Sequence, residues 1–258
     1  MNLFSLSAWR HRLLRYYPLV ALSLTVGITA LLLVTLAALP PLGEVGNPSH
    51  NLVSLKYIED GLGDTGALNI VAGMILDYRA FDTFGEACVL FTATCAIIIL
   101  LRSDTPDAYD TMLHQMEEPH TNIILQSVSF LLVGIMLVFG CYVIANGHLS
   151  PGGGFSGGSI LGAALILYVN SYGIRRASHF INFTIYRRLV SFSLLFYAAF
   201  KGYSFFMGAN HLPSGIPLGK PGDLLSAGLI LPLNIAVGCV VAGTVYAIYV
   251  LFSQGEMR

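Results

Sequence analysis

Residues 66–101 read GALNIVAGMILDYRAFDTFGEACVLFTATCAIIILL, and how often this stretch crosses a bilayer sets the parity of the whole chain. A hydrocarbon core of ~30 Å needs ~20 apolar residues in a helix. The stretch is too short for two spans and a turn, and too long for one straight span. It is also interrupted by Asp77, Arg79, Asp82 and Glu86. The reading that fits is a helix over 66–79, lying at the interface or entering partway, followed by a true span from Asp82.

The rest of the chain supports a membrane setting. Of its 258 residues, 55% are hydrophobic and 10% charged, with a mean hydropathy of +0.72; a soluble domain carries roughly 25% charged residues. Apolar runs predict spans at 18–39, 82–101, 122–145, 157–172, 189–207 and 224–251. The first run follows Arg10, His11, Arg12 and Arg15 and ends in Pro40-Pro41 without a small-residue cleavage site, so it reads as a retained anchor. The fold class expected is therefore all-α, integral membrane, with six spans and one extra partial helix.

Arginine placement tests that count. Loops on the cytoplasmic side are enriched in Lys and Arg. With the N-terminus inside, Arg10, Arg12, Arg15, Arg102, Arg175, Arg176, Arg187, Arg188 and Arg258 fall on one side, and Lys56 and Lys220 on the other. Counting 66–79 as a full span would put the arginine-rich loop 173–188 on the wrong side. Both termini are thus expected in the cytoplasm. The acidic, proline-bearing segment 106–120 reads as a linker between a two-span unit (1–105) and a four-span unit (121–258).

Four features carry the chemistry. On a continuous helix Arg79, Asp82 and Glu86 would share one face. Ionisable groups at membrane depth cost ~2.5–3.5 kcal/mol each on insertion scales, so they pair or line a wet path. Glu86, Asp82, Asp77 and Arg79 are candidates for ion transfer, against the plainer reading of a salt bridge at a span mouth. Lys201 sits in the apolar run Leu194–Met207. It is either a titrating carrier or the buried partner of a carboxylate on a neighbouring span or protein. The run from His148 through Pro151, Gly152, Gly153, Gly154, Phe155, Gly157 and Gly158 lacks the Lys-Ser/Thr of a phosphate loop. Gly154, Gly158 and Gly162 instead form a small-residue stripe for close helix packing, after a tight re-entrant turn. His148 is either a group that titrates near neutral pH or a plain exposed or hydrogen-bonded loop histidine. In the last span, Pro232 is expected to kink the helix, and Asn234 to hydrogen-bond across to another helix.

Cys88, Cys95, Cys141 and Cys239 form no metal-ligand or CxxC spacing and read as small packing residues. No nucleophile triad, paired catalytic acids, metal site or cofactor motif is present in the sequence, which argues against an enzyme acting on lipid. The net charge of -1 gives no case for nucleic acid.

The run His148–Gly158 resembles the signature loop of the MnhB/MrpB component of Mrp-type multisubunit Na+/H+ antiporters, and the resemblance extends over residues 119–258, including Leu231–Gly238. The stretch Val71–Glu86 resembles the C-terminal part of the large MrpA component, which also occurs as a separate small protein (MbhE-type) in membrane-bound hydrogenases. Ala80 stands where that pattern has glycine; no charge is altered. The resemblance implies a fusion of two pieces and makes Glu86 the acidic residue of ion transfer. It implies a non-catalytic membrane subunit of an antiporter, or of an ion-translocating module in a hydrogenase or complex I-related assembly. Its implied partners are large antiporter-like and small membrane subunits, Na+ and H+, lipids and, in the second case, a redox module, in a prokaryotic plasma membrane. A purely structural scaffold remains the competing reading.

Overall fold

A chain crossing a bilayer must satisfy its backbone internally, and helices do so one segment at a time. The computed structural model describes residues 3–39, 51–101, 123–180 and 183–255, which are mostly helical, apart from connections such as 210–229, with no strand among the described residues. The long helices are α1 (Leu3–Ala37), α2 (Ala80–Leu101), α3 (Ile123–Ala145), α4 (Gly154–Tyr172), α5 (Phe183–Ala209) and α6 (Ile230–Gly255). Each contains a stretch long and apolar enough to cross a membrane, so the six expected spans are present. The linker 106–120 and the side chains of Arg10, Arg12, Arg15 and Arg258 lie outside the described residues.

The chain forms two compact units, Met1–Leu55 and Lys56–Arg258. The first holds α1 and the short turn Leu52–Leu55. The hydroxyls of Ser23, Thr25 and Thr35 donate to the carbonyls of Val20, Ala21 and Leu32 at 2.8–2.9 Å. These polar side chains are thereby satisfied within their own helix.

The second unit begins with broken helical pieces rather than the one partial helix expected at 66–79. A wide π turn at Lys56–Asp60 leads into Gly61–Thr65, which ends at Gly66 (φ 69°). Only glycine takes that left-handed conformation at little cost, and a Cβ there would also lie 3.2 Å from the Leu218 carbonyl oxygen. The helix Ile70–Gly73 starts afresh at Asn69 and runs into a second π turn, Met74–Tyr78. The chain breaks again at Arg79 (φ −116°, ψ 35°) before α2 begins. Arg79 therefore lies off α2 and does not share a continuous helical face with Asp82 and Glu86, contrary to the expectation from their spacing.

Three other expectations are corrected. The fourth span starts at Gly154 rather than 157, because the glycines themselves form its first turn. The fifth runs from Phe183 to Ala209, not 189–207, so Lys201 lies a little past the middle of its helix, toward the C-terminal end. The sixth starts at Ile230 rather than 224, which puts Pro232 in the first turn of α6. A first-turn N–H has no intrahelical acceptor to lose, so the proline kinks nothing.

Helix α6 is the hub: Leu233, Val237, Val240, Val241 and Thr244 are fully buried, and α2, α3, α4 and α5 all pack on it. The tightest approach is to α4. A Cβ added at Gly154 would stand 2.5 Å from the Asn234 carbonyl oxygen, at Gly158 2.7 Å from that of Gly238, and at Gly162 3.0 Å from Val245 Cβ. The stripe read from the sequence thus packs against α6 of the same chain. On the other side of α4, a Cβ at Gly157 would lie 2.8 Å from the Gly140 carbonyl oxygen of α3. At the far end of this pair, Ser171 donates to Ser129 Oγ (2.5 Å) and Tyr172 to the Gln126 carbonyl (3.0 Å).

Because the neighbours of Gly158 are the Gly238 backbone and the Val241 Cβ, they cannot rotate away. Gly158→Val should cost at least the ~1–3 kcal/mol typical of overpacking, read as a lower thermal midpoint of the detergent-solubilised protein. Gly63→Ala, with nothing within 4 Å of the new Cβ among the described residues and a helical position that suits alanine, should not lower the midpoint.

Candidate functional site

The site is assembled at one end of the helical unit, where α2, α4 and α6 begin and α3 and α5 end. Asn69 organises it. Its Oδ1 accepts from the N–H groups of Val71 (3.1 Å) and Ala72 (3.4 Å), capping the helix it precedes. Its Nδ2 donates to the carbonyls of Gly147 (2.8 Å) and Ser150 (2.9 Å), and its own N–H to that of His148 (3.0 Å). One side chain therefore ties the broken helix to the glycine-rich turn. Sequence reasoning passed over Asn69, although an Asn directly before an apolar run is a helix-start signal.

The turn itself is held from α6. Gly153 precedes α4 with φ 144° and ψ −172°, a conformation essentially confined to glycine. No residue of the turn caps α4 with its side chain; instead Asn234 Oδ1 accepts the Gly154 N–H at 2.9 Å. The cross-helix bond expected of Asn234 is present. His148 is completely buried, with Nε2 3.3 Å from the Asp223 carbonyl oxygen. It is a structural group of this turn and not an exposed one. Gly153, Gly154, Gly157 and Gly158 are buried, Phe155 and Pro232 half-buried, and Pro151 and Gly152 exposed.

The charged candidates separate into three. Lys201 is buried (4% exposed) and pairs with Asp77 on the second π turn. The lysine thus finds its carboxylate within the chain, on the broken helix. Arg79 and Asp82 pair with each other (Nε to Oδ2 2.7 Å) on the surface, which matches the plainer reading of a salt bridge at the mouth of a span. Glu86 is exposed on α2 and has no ion pair among the described residues.

Two groups that sequence reasoning missed support the Lys201 pair. Tyr197, one helical turn before Lys201, is 1% exposed, donates to the Ala80 carbonyl (2.8 Å) and stacks on Phe84 with centroids 5.4 Å apart. Thr83 donates to the Ile75 carbonyl at 2.6 Å, taking up an acceptor on the π turn. The i, i+4 spacing of Tyr197 and Lys201 was the available signal. Farther out, Lys56 bridges Asp60 (2.8 Å) and Asp64 (2.9 Å), and Tyr78 donates to Asp64 at 2.6 Å. The Tyr78 bond and then Lys56 hold the Asp64 carboxyl below its ordinary value, while burial and the same bond push Tyr78 up to about 12. Among the described residues no cluster of His, Cys, Asp and Glu is placed to hold a metal ion.

Both parts of the chain match known families. The family described as a domain related to the MnhB subunit of Na+/H+ antiporter matches residues 124–247, and the MbhE family, the E-type component of MBH, matches 19–118. A protein of Methanocaldococcus jannaschii is 30% identical over 201 residues, spanning 71% of this chain and 76% of its own length. The chain belongs to the MnhB-related family, with an MbhE region preceding that domain. Within it, the B-type Na(+)/H(+) antiporter component of Alkalihalophilus pseudofirmus is 28% identical over 142 residues, 53% of this chain and 95% of the relative. The fold of this MnhB-related chain is like that of a chain in the membrane-bound sulfane sulfur reductase, an archaeal respiratory membrane complex (TM-score 0.66, 24% identity, 90% of this chain and 96% of that one). It is also like part of a chain in the Mrp complex from a Dietzia species (TM-score 0.59, 21% identity, 90% of this chain but 25% of that one).

Two outcomes follow from the geometry. Removing one partner of a buried pair leaves an uncompensated charge, at ~3–5 kcal/mol; with Asp77 36% exposed, Asp77→Asn should fall at or below the low end of that range in thermal unfolding. The double variant Asp77→Asn/Lys201→Met should be more stable than Asp77→Asn. The depressed Asp64 carboxyl favours the folded state above its unfolded pKa, and this contribution is lost as pH falls through the lower folded value. Asp64→Asn should therefore flatten the acid limb of a stability–pH profile, with the difference from wild type vanishing at the most acidic pH.

Proposed function

We propose that this MnhB-related chain is a non-catalytic membrane subunit of an Mrp-type cation/proton-translocating complex, and that Asp77, Lys201 and Glu86 are its ion-handling groups. The observation that carries the reading is the buried Lys201 of the MnhB-related domain paired with Asp77 of the MbhE region. A buried lysine beside a half-exposed carboxylate forms a charge pair that a passing cation or proton can open by competing with the lysine for the carboxylate. Arg79 and Asp82, paired at the surface, form the outer rim of the same stretch.

Glu86 completes the proposal. It is exposed on a helix with the length and hydropathy of a span, and an unpaired carboxylate facing lipid carries the insertion cost of ~2.5–3.5 kcal/mol. Its position supports a contact with a neighbouring protein or a hydrated path between subunits. Large apolar side chains along the outer face of α3, such as Phe130, Leu131 and Val138, suit lipids or the other membrane subunits of such a complex. Both termini are assigned to the cytoplasm of a prokaryotic cell, by the arginine-bearing loop 173–188.

A scaffold without an ion path is the second reading, favoured by the surface Arg79–Asp82 salt bridge and by the structural hydrogen bonds of Asn69 and Asn234. Glu86→Gln separates the two. In vesicles containing the whole complex, the ion-handling reading expects co-purification of all subunits with at least a severalfold loss of Na+- or proton-coupled transport. Full transport in that variant would remove Glu86 from the mechanism, and loss of co-purification would favour the scaffold.

A further inference from the structure

Between the broken helix and the glycine turn lies a cavity of about 160 Å³. Its walls include Ile75, Leu76, Phe155 and Val237, and its polar end is formed by Asn234 and the first turn of α4. Asn234 is 2% exposed. Its Oδ1 is used by the Gly154 N–H, while its buried Nδ2 has no acceptor among the described residues. That bond also fixes which end of the amide is which. The next two N–H groups of α4, on Phe155 and Ser156, belong to the orphan donors of a helix start and have no acceptor among the described residues.

We propose that this cavity is a binding site for a halide ion, held by the Asn234 side-chain amide and the Phe155 and Ser156 N–H groups. The lining has donors in need of a partner and no carboxylate. The two lining hydroxyls already donate, Thr83 to the Ile75 carbonyl (2.6 Å) and Ser156 to that of Gly153 (3.3 Å). The N-terminus of the 19-residue α4 adds the positive end of the helix dipole, which disfavours Na+ in the same space. A weakly hydrated, polarisable monovalent anion suits apolar walls with a few N–H donors better than phosphate or sulfate, which require more. The site is separate from the Lys201–Asp77 pair and would stiffen the seam between turn and broken helix.

The test uses the purified complex. Sodium bromide, against sodium gluconate at equal ionic strength, should raise its thermal midpoint saturably. Asn234→Asp keeps the acceptor for the Gly154 N–H but replaces the free donor with a negative charge, and should abolish the bromide-dependent rise. Independently, crystals grown in bromide should show an anomalous peak beside Asn234, and this reading stands even if the variant fails to assemble. An equal bromide response in wild type and variant, or no anomalous peak in the cavity, would overturn the proposal.

Discussion

The close approach of α4 to α6 is the contact on which the helical unit depends. Lipid tails are as apolar as leucine, so burial of apolar surface gives helices in a bilayer little reason to associate; backbone proximity, van der Waals contact and hydrogen bonds must do it. Gly154, Gly158 and Gly162 bring α4 against Asn234, Gly238 and Val245. The same helix uses Gly157 to approach Gly140 of α3. One glycine-rich helix therefore holds two neighbours. Its start is fixed by Asn234 of α6, so packing and capping depend on the same pair of elements.

The second constraint is backbone accounting. The segment 56–79 breaks its helix repeatedly, and each break leaves donors and acceptors that cannot remain unpaired away from water. Asn69 and Thr83 take up several of them by bonding backbone groups of the broken pieces or of the glycine turn, and Tyr197 bonds the Ala80 carbonyl where α2 begins. The irregular segment is thus placed where polar side chains from α2 and α5 reach it. That also brings Asp77 to Lys201. A π turn displaces the side chains after it relative to a regular helix, and this is the local reason Asp77 parts company with Arg79 and Asp82.

Much of this was legible in the residues, and the failures share one cause. Length, hydropathy and arginine placement were enough for six spans, because bilayer thickness acts on each span independently. The glycine stripe was legible since its i, i+4 spacing is a property of one helix, and Asn234 because a buried amide needs a partner. Where the helix is not regular, the reading failed. The face shared by Arg79, Asp82 and Glu86 assumed an unbroken helix through 79–86, and the kink at Pro232 assumed a helix starting several residues earlier. The partner of Lys201 was named only as a class. Pairing residues 124 positions apart in sequence depends on how α5 packs beside the broken helix, and no local pattern encodes that.

The position of the hub helix in the chain has a consequence for biogenesis. Helix α6 is the last of the six long helices to leave the ribosome, yet α2, α3, α4 and α5 all pack on it. Until it is inserted, the Gly154, Gly158 and Gly162 face of α4 and the buried side chain of Tyr197 lack their α6 neighbours. Closure of the bundle is in that sense a late event of synthesis, and a chain cut short before residue 230 would present the membrane quality-control proteases with an open groove lined by backbone.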